Sequence, residues 1–182
     1  MKIKGKKIEL KPAQESDRQK VYGWLCQSDV TASAMGPPVY PEQPVPTLDE
    51  FCSEYPLSFF NETGNGSGRV FLIIANGDEV GSVGYDLLDR EKDRVVLDIW
   101  MKSETHCGQG YGSDALEALS GYLHKTFGIG TVIISPSARN ARAIAAYKKA
   151  GFVFIKILNK KEQEDEFGIS EYYDNVLMIK KM

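Results

Sequence analysis

The apolar residues of this chain follow the period of β-strands in some segments and the period of helices in others. Successive side chains of a strand point to opposite faces, so alternation, or a short continuous apolar run, predicts a strand. Such patterns predict strands at residues 7–12, 69–75, 80–88, 94–101, 131–135, 152–158 and 175–179. The Asn76-Gly77-Asp78 segment favours a tight turn, which predicts a hairpin between two of these strands.

Helical periodicity, together with recognisable end residues, predicts about four helices. They cover residues 17–27, 47–60, 113–126 and 141–150. Ser16 is the predicted N-cap of the first helix, and Thr47 and Glu50 form a capping box for the second. Asn140 and Gly151 have the residue types expected just before and just after the last helix.

The order of these elements predicts an α/β fold. The helix at 113–126 connects the strand at 94–101 to the strand at 131–135, and a helical crossover makes two such strands parallel. Three or four antiparallel strands are expected before this crossover, and a strand, a helix and two further strands follow it. We therefore expect a single domain over residues 1–182, with a mixed, mostly antiparallel central sheet of six to seven strands and about four flanking helices.

Two polar segments have two interpretations each. Residues 28–46 contain five prolines and predict an irregular connection, and its 36–46 part either forms a wall of a substrate site or is a surface linker. The acidic residues after the strand at 152–158 predict a solvated hairpin loop or a rim for a cationic ligand. They are Glu162, Glu164, Asp165, Glu166, Glu171 and Asp174. The Tyr172-Tyr173 pair either lines the same site or covers the sheet.

Composition and charge exclude several functional classes. The 42% hydrophobic and 26% charged fractions are ordinary for a globular domain, and a net charge of −3 argues against nucleic acid as the main partner. No apolar run reaches membrane-spanning length, and the N-terminus lacks a signal-peptide core, so no membrane partner is expected. Three distant cysteines, Cys26, Cys52 and Cys107, indicate free thiols and a cytoplasmic location.

The segment Gly108-Gln109-Gly110-Tyr111-Gly112 directly precedes an amphipathic helix. The first N–H groups of a helix lack partners and face a positive dipole end, so this arrangement predicts a phosphate or pyrophosphate site. Ser113-Asp114 replaces the Lys and Ser/Thr of a Walker loop, and the polar segment 102–107 separates the glycines from the preceding strand, unlike a dinucleotide fingerprint. A flexible glycine turn is the alternative.

The helix after Asn140 places a polar amide and a phenol on one face. Asn140, Ile144 and Tyr147 are spaced i, i+4, i+7. Together with the glycine loop, the run 140–152 (NARAIAAYKKAGF) resembles the GCN5-related N-acetyltransferases, and within them it is most similar to the aminoglycoside 6′-N-acetyltransferases. The likeness is strongest over residues 95–155. One position departs from the family: its usual Arg or Gln, three residues before the middle glycine of the loop, is Cys107 here.

This resemblance implies that acetyl-CoA is the co-substrate and that the sheet splays apart between the strands at 94–101 and 131–135. The pantetheine arm would lie in that split and bond to the backbone of the first strand. The residues that the resemblance assigns to cofactor binding are Ile99, Trp100, Met101, Cys107, Gly108, Gln109, Gly110, Tyr111, Gly112, Ser113, Asn140 and Tyr147. No metal is expected, because the histidines and cysteines form no ligand set.

Acetyl transfer to an amine requires that the amine lose its proton and that the departing thiolate gain one. The family pattern makes Tyr147 the candidate general acid, and a half-buried core tyrosine is the alternative. Asp98 lies within an apolar strand, where an unused carboxylate is costly to bury, so it is the candidate base or amine anchor. A carboxylate on the solvent side of the strand is the alternative. Cys107 as a nucleophile is disfavoured, because no paired base is evident; the adjacent His106 is a loop residue.

The sequence therefore predicts an acetyl-CoA-dependent N-acetyltransferase that transfers directly to a primary amine, as on a small polycation such as an aminoglycoside. Two alternatives stay open, an acetyltransferase for protein or ribosomal-protein N-termini and a non-catalytic acyl-CoA-binding regulator. The Trp-rich stretch of some aminoglycoside enzymes is replaced by residues 31–36 (TASAMG). The protein is expected to be a monomer or a homodimer.

Overall fold

The computed structural model describes residues 2–35, 45–61, 67–89, 91–168 and 174–182, and eight strands in these residues form one sheet. In chain order the strands are β1 (Ile3–Lys4), β2 (Glu9–Pro12), β3 (Arg69–Ala75), β4 (Asp78–Asp89), β5 (Arg94–Met101), β6 (Thr131–Ile134), β7 (Val153–Leu158) and β8 (Asn175–Lys181). Across the sheet their order is β1-β2-β3-β4-β5-β6-β8-β7. The mixed, mostly antiparallel sheet is confirmed, with slightly more strands than expected.

Helices cover both faces of the sheet. They are α1 (Arg18–Cys26), α2 (Thr31–Met35), α3 (Leu48–Glu54), α4 (Tyr111–Phe127), α5 (Ala141–Lys149) and α6 (Lys160–Phe167). The apolar side of α4, including Leu116, Leu119 and Leu123, packs into a buried cluster with β3, β5 and β6. A second cluster on the opposite face joins α1 and α3 to Trp100 of β5. None of the helices in the described ranges is long and apolar enough to cross a membrane.

The sheet opens between β5 and β6. These strands are parallel, as predicted from the crossover helix, but they pair only from Arg94 to Val96 on β5 and from Thr131 to Ile133 on β6. Beyond Val96, β6 continues beside β8, while β5 continues beside β4. Residues 97–101 of β5 therefore have no ladder on this side among the described residues, and a cleft opens there.

Several local predictions are confirmed by backbone geometry. Asn76 and Gly77 both have positive φ, 53° and 88°, as the hairpin turn between β3 and β4 requires. The Thr47 side chain accepts from the backbone of Glu50, and the reciprocal bond completes the capping box. The Asn140 side chain caps α5, and Gly151 follows with a φ of 90°.

Other local predictions are wrong. The acidic segment 162–166 is not a hairpin loop but part of α6, because Asn159 and Glu162 form a capping box and Gly168 ends the helix with positive φ. Ser16 caps no helix: a 3₁₀ turn at Glu15–Asp17 precedes α1. The second predicted helix ends at Glu54 rather than near residue 60, and a 3₁₀ turn follows at Leu57–Phe60.

Two further elements, β1 and α2, have no counterpart in the predictions. β1 pairs with β2, and α2 lies in the segment read as irregular, where the Thr31 hydroxyl donates to the carbonyl of Leu25 (2.8 Å). Residues 36–44, which hold most of the proline-rich segment, lie outside the described residues, as do Glu171 and the Tyr172-Tyr173 pair.

Candidate active site

The cleft beside β5 contains a cavity of about 330 Å³. It is bounded by the open part of β5, by the chain after β6, by the inner face of α5 and by the end of α3. Polar or aromatic residues that line it include Glu54, Tyr55, Phe59, Asp86, Asp98, Trp100, Ser137, Asn140, Tyr147 and Asn175. The fold thus brings both predicted catalytic residues, Asp98 and Tyr147, to one cavity.

Alternation along β5 decides which side chains reach each face. Trp100 packs into the cluster of α1 and α3, and Asp98 lies two residues before it on the same face. Ile99 and Met101 face α4, where a Cβ at Gly112 would lie 3.6 Å from Ile99 Cδ1 and 3.8 Å from Met101 Sδ. The backbone edge of these residues stays directed into the split.

Asp98 is held through both carboxylate oxygens. The Tyr55 hydroxyl donates to Oδ2, and the Ile99 backbone N–H donates to Oδ1 at 3.0 Å. Burial among the surrounding protein atoms, and then the negative charge of Glu54, raise the pKa of Asp98 to about 7. Asp98 is nevertheless exposed to the open volume of the cleft, so water weakens this effect until an occupant displaces it.

Tyr147 lies on the inner face of α5, half-buried, with its ring centroid 6.4 Å from that of Phe152. Burial raises the pKa of the phenol above its ordinary value, and the charge of Asp98 adds to the effect. The phenol therefore stays protonated at neutral pH. Within the described part of the chain, its hydroxyl makes no hydrogen bond, so the proton is available to a molecule in the cleft.

The glycine loop has the backbone conformation of an anion site. Gly108 and Gly110 have φ values of 72° and 83°, in the left-handed region that favours glycine. Gly110 is the N-cap of α4, and no side chain in the described part of the chain caps that end, so the first N–H groups of the helix remain directed at the loop. These donors and the helix dipole fit the pyrophosphate of a coenzyme A molecule.

Three predicted cofactor-binding side chains near the glycine loop have different contacts in the structure. The Cys107 thiol lies 3.7 Å from the Ser103 carbonyl, and burial raises its pKa, which opposes a nucleophilic thiolate. The Ser113 hydroxyl donates to the carbonyl of Ala146 (3.0 Å), so this side chain joins α4 to α5. The Asn140 side-chain oxygen accepts from Ala143 N–H at 3.0 Å while the residue also lines the cleft.

Lys7, near the N-terminus, brings a positive charge to the glycine loop. Its ammonium donates to the carbonyl of Gln109 (3.3 Å) and lies 3.5 Å from the position of a Cβ at Gly110. The buried carboxylate of Asp114 accepts from the backbone N–H groups of the β1–β2 turn, including that of Lys7 (2.6 Å). Sequence reasoning missed Lys7, because nothing local connects residues 7 and 109.

Glu54 and Tyr55 were also missed. They are the last residue of α3 and the residue after it, and the predicted helix continued through both. In the structure the turn that ends α3 places Tyr55 on Asp98, 43 residues later in the chain. The Tyr55 hydroxyl and the carboxylates of Glu54 and Asp98 come together only when the chain packs. The sequence around Tyr55 therefore contains no signal that predicts its place in the site.

A network of polar side chains joins three segments near the glycine loop. The Arg142 guanidinium donates to both carboxylate oxygens of Glu104 and to the Ser33 hydroxyl (2.9 Å). The Glu104 backbone N–H donates to Asp29 (2.9 Å). The network connects α2, the turn before the glycine loop and α5.

The two histidines have local partners. His106 Nδ1 lies 2.7 Å from the Ser103 hydroxyl, and His124 Nδ1 lies 2.9 Å from the Ile129 carbonyl. Among the described residues, no group of three or more His, Cys, Asp or Glu side chains could hold a metal ion.

Comparison with known proteins agrees with this geometry. A family model described as an acetyltransferase (GNAT) domain matches residues 7–153. The fold is similar to that of RimL, a ribosomal L7/L12 alpha-N-protein acetyltransferase in complex with coenzyme A, with a TM-score of 0.75 and 17% identity over 100% of this chain and 98% of that one. No curated protein matches the chain in sequence.

Two other solved structures share the fold at similar distance. The aminoglycoside acetyltransferase AAC(6′)-Ib, in complex with ribostamycin and coenzyme A, gives a TM-score of 0.72 and 20% identity over 96% of this chain and 93% of that one. A spermidine N-acetyltransferase chimera of SpeG from Vibrio cholerae and hSSAT gives 0.69 and 17% over 96% and 95%. At such identities these likenesses establish the fold.

Proposed function

The chain belongs to the GNAT family of acetyltransferases, and from this premise we propose that it transfers the acetyl group of acetyl-CoA directly to a primary amine of a small polycationic molecule. The observation that carries the proposal is the presence of Asp98 and Tyr147 in one cavity beside the open edge of β5. A carboxylate that titrates near neutral pH and a phenol that stays protonated are the two groups that this reaction needs.

Acetyl-CoA supplies an activated acetyl group, and the residues present suit two parts of the molecule. The free backbone edge at Ile99, Trp100 and Met101 can pair with the amides of the pantetheine arm. The uncapped N–H groups at Gly110 and the start of α4, with the ammonium of Lys7 beside them, can hold the pyrophosphate. The two parts are adjacent, since a Cβ at Gly112 would lie 3.6 Å from Ile99 Cδ1, so a single extended molecule can contact both.

In the proposed reaction Asp98 holds the acceptor ammonium and takes its proton. Only the free amine is a nucleophile, and a base works best when its pKa lies near the operating pH. The pKa of about 7 satisfies this condition. Both oxygens of Asp98 already have one donor each, and a carboxylate oxygen accepts more than one hydrogen bond, so acceptor capacity is left for an amine in the cleft.

Tyr147 gives its proton to the departing thiolate. Its hydroxyl has no donor or acceptor partner among the described residues, and its ring packs against the buried cluster that contains Phe152. Much of the remaining rate enhancement comes from holding the amine and the thioester in contact, which can lower the barrier by several kcal/mol, about 7–11 in the best cases. No protein-bound acyl intermediate is required.

The charge of the cavity favours a cationic acceptor. The carboxylates of Glu54, Asp86 and Asp98 line it, and no lysine or arginine does so among the described residues. The aromatic rings of Tyr55 and Phe59 form part of its wall, and such rings suit the apolar carbons of an amine with several charges. This supports a polyamine or an aminoglycoside over an uncharged amine.

The test is acetylation of a mixed panel of amines. The protein and acetyl-CoA are incubated with an aminoglycoside, spermidine, an amino acid and a short peptide with a free N-terminus, and acetylated products are identified by mass spectrometry. The proposal predicts that a polycation is the main product. Acetylation of the peptide instead would establish the alternative of an N-terminal acetyltransferase. Binding of acetyl-CoA in a calorimetric titration without any product would indicate a non-catalytic acyl-CoA-binding regulator.

A further inference from the structure

A tyrosine from outside β5 fixes the Asp98 carboxylate. Tyr55 is 8% exposed and follows directly after α3. Its ring stacks on Phe51, with centroids 4.8 Å apart and planes at 20°, and meets the edge of Trp100 at 5.6 Å and 82°. Packing on two sides holds the ring beside Asp98, and its hydroxyl donates to Asp98 Oδ2.

The groups that face Asp98 from the surrounding elements are mostly unfavourable to its charge. Glu54 comes from α3, Asp86 from β4 and Tyr147 from α5, and all three line the same cavity. No cation lines it among the described residues. The donors that stabilise the carboxylate are therefore the Tyr55 hydroxyl and the backbone N–H of Ile99.

We propose that Tyr55 is a positioning residue, which holds the charged carboxylate of Asp98 in the orientation that receives the acceptor amine. The inference rests on the proposed function, since it assigns Asp98 to the amine. A hydrogen bond to the charged form of an acid favours that form, so Tyr55 keeps Asp98 ionised at lower pH than the burial and the neighbouring carboxylates would otherwise allow. Tyr55 acts through Asp98 and need not touch the reacting atoms.

The direct test is Tyr55→Phe, which removes the hydroxyl and keeps the ring in its stack. We expect the acidic limb of the kcat/KM profile to move to higher pH by about one unit. At pH 7 kcat falls several-fold, while the affinity for acetyl-CoA stays the same. An acidic limb that does not move would contradict either the hold of Tyr55 on Asp98 or the role of Asp98 in the reaction, and the titration described below separates these two results.

Tyr22→Phe is the matched control. Tyr22 belongs to the same buried cluster, and its ring lies 5.4 Å from that of Phe51. Its hydroxyl donates to the carbonyl of Pro46 (3.3 Å) rather than to Asp98. Loss of this hydroxyl should lower stability by a similar small amount and leave the pH profile in place. A shift of the profile in both variants would assign the effect to packing and contradict the proposal.

A second measurement needs no acceptor. The side-chain carboxyl carbon of Asp98 is titrated by NMR in the free protein, with Asp98→Asn for assignment. In Tyr55→Phe its pKa should rise above that of the wild type; an unchanged pKa would overturn the proposal whatever the substrate. If the pKa rises but the pH profile of the rate does not shift, Tyr55 does stabilise the charged carboxylate of Asp98. The proposed role of Asp98 in the reaction would then be refuted.

Discussion

The surroundings of the Asp98 carboxylate include groups that disfavour its negative charge and groups that stabilise it. The residue lies in an apolar strand, where desolvation disfavours charge, and Glu54 adds repulsion. Its two oxygens nevertheless have a donor each, from Tyr55 and from the Ile99 backbone. The balance leaves the group poised between protonated and ionised forms near pH 7, which suits a base better than a structural carboxylate.

Asp98→Asn should lower kcat by roughly a hundredfold, the usual contribution of a positioned base, and change acetyl-CoA affinity little. The activity of the wild type should fall as the pH drops through about 7, because protonation removes the base, and this limb should be missing in the variant. Rates at a series of pH values with a saturating amine check this. Asp165→Asn, an exposed carboxylate on α6, is the control and should behave as wild type. Full activity in Asp98→Asn would return the residue to a structural role.

The same residue predicts how stability changes with pH. The folded pKa of about 7 lies above the value of about 4 expected in the unfolded chain. Between these values the folded state binds more protons than the unfolded state, so the free energy of unfolding falls as the pH rises. Asp98→Asn removes this dependence. The melting temperature of the variant minus that of the wild type should therefore increase from pH 5 to pH 8. A constant difference over this range would show that the carboxyl is not perturbed in the free protein.

At the level of elements, the proposed cofactor site depends on the junction between α4 and the β1–β2 turn. The carboxylate of Asp114, in the first turn of α4, accepts from the backbone N–H groups of Lys6, Lys7 and Ile8. A Cβ at Gly5 would come within 2.6 Å of Asp114 Oδ2, so only glycine allows this approach. The junction fixes the turn against the glycine loop and places the ammonium of Lys7 there.

Lys7→Ala should weaken acetyl-CoA binding by roughly threefold to tenfold, because an exposed ion pair with a phosphate contributes modestly. The loss should shrink at high salt, since screening already weakens the wild-type contact. Calorimetric titration at low and high ionic strength measures both effects. Lys6→Ala is the control, because the Lys6 ammonium pairs with Glu117 (2.9 Å) instead. Equal losses in the two variants would indicate general charge rather than a contact at the loop.

At the scale of the whole molecule, the sequence predicted what is local and missed what packing assembles. The sheet, its parallel pair and the glycine loop followed from periodicity and from end residues, which act within a few positions. The helix α6 was missed because four acidic residues suggested a loop, although Asn159 and Glu162 carry a capping box. Likewise α2 was not predicted, because the prolines that follow it led to the interpretation of the whole segment 28–46 as irregular.

The cavity itself could be predicted only in part. Asp98 and Tyr147 were found, the first from an acid in an apolar strand and the second from the family pattern. The surroundings of Asp98 also include Glu54 and Tyr55. These two residues lie beside β5 because α3 ends at Glu54. Contacts between segments 43 residues apart arise from packing of buried aromatic rings, and single-sequence patterns do not encode such distances.

The proposed acid chemistry of the cleft is tested by comparing the wild type with Tyr147→Phe. Release of free thiol from acetyl-CoA is followed with the best amine of the panel, and acetyl-CoA affinity is measured in parallel. We expect turnover to fall by at least about tenfold in the variant while the affinity stays nearly the same, because the proposed proton donor is lost and the backbone edge of β5 is intact. Turnover equal to that of the wild type would contradict a reaction centred on this cleft with Tyr147 as its acid.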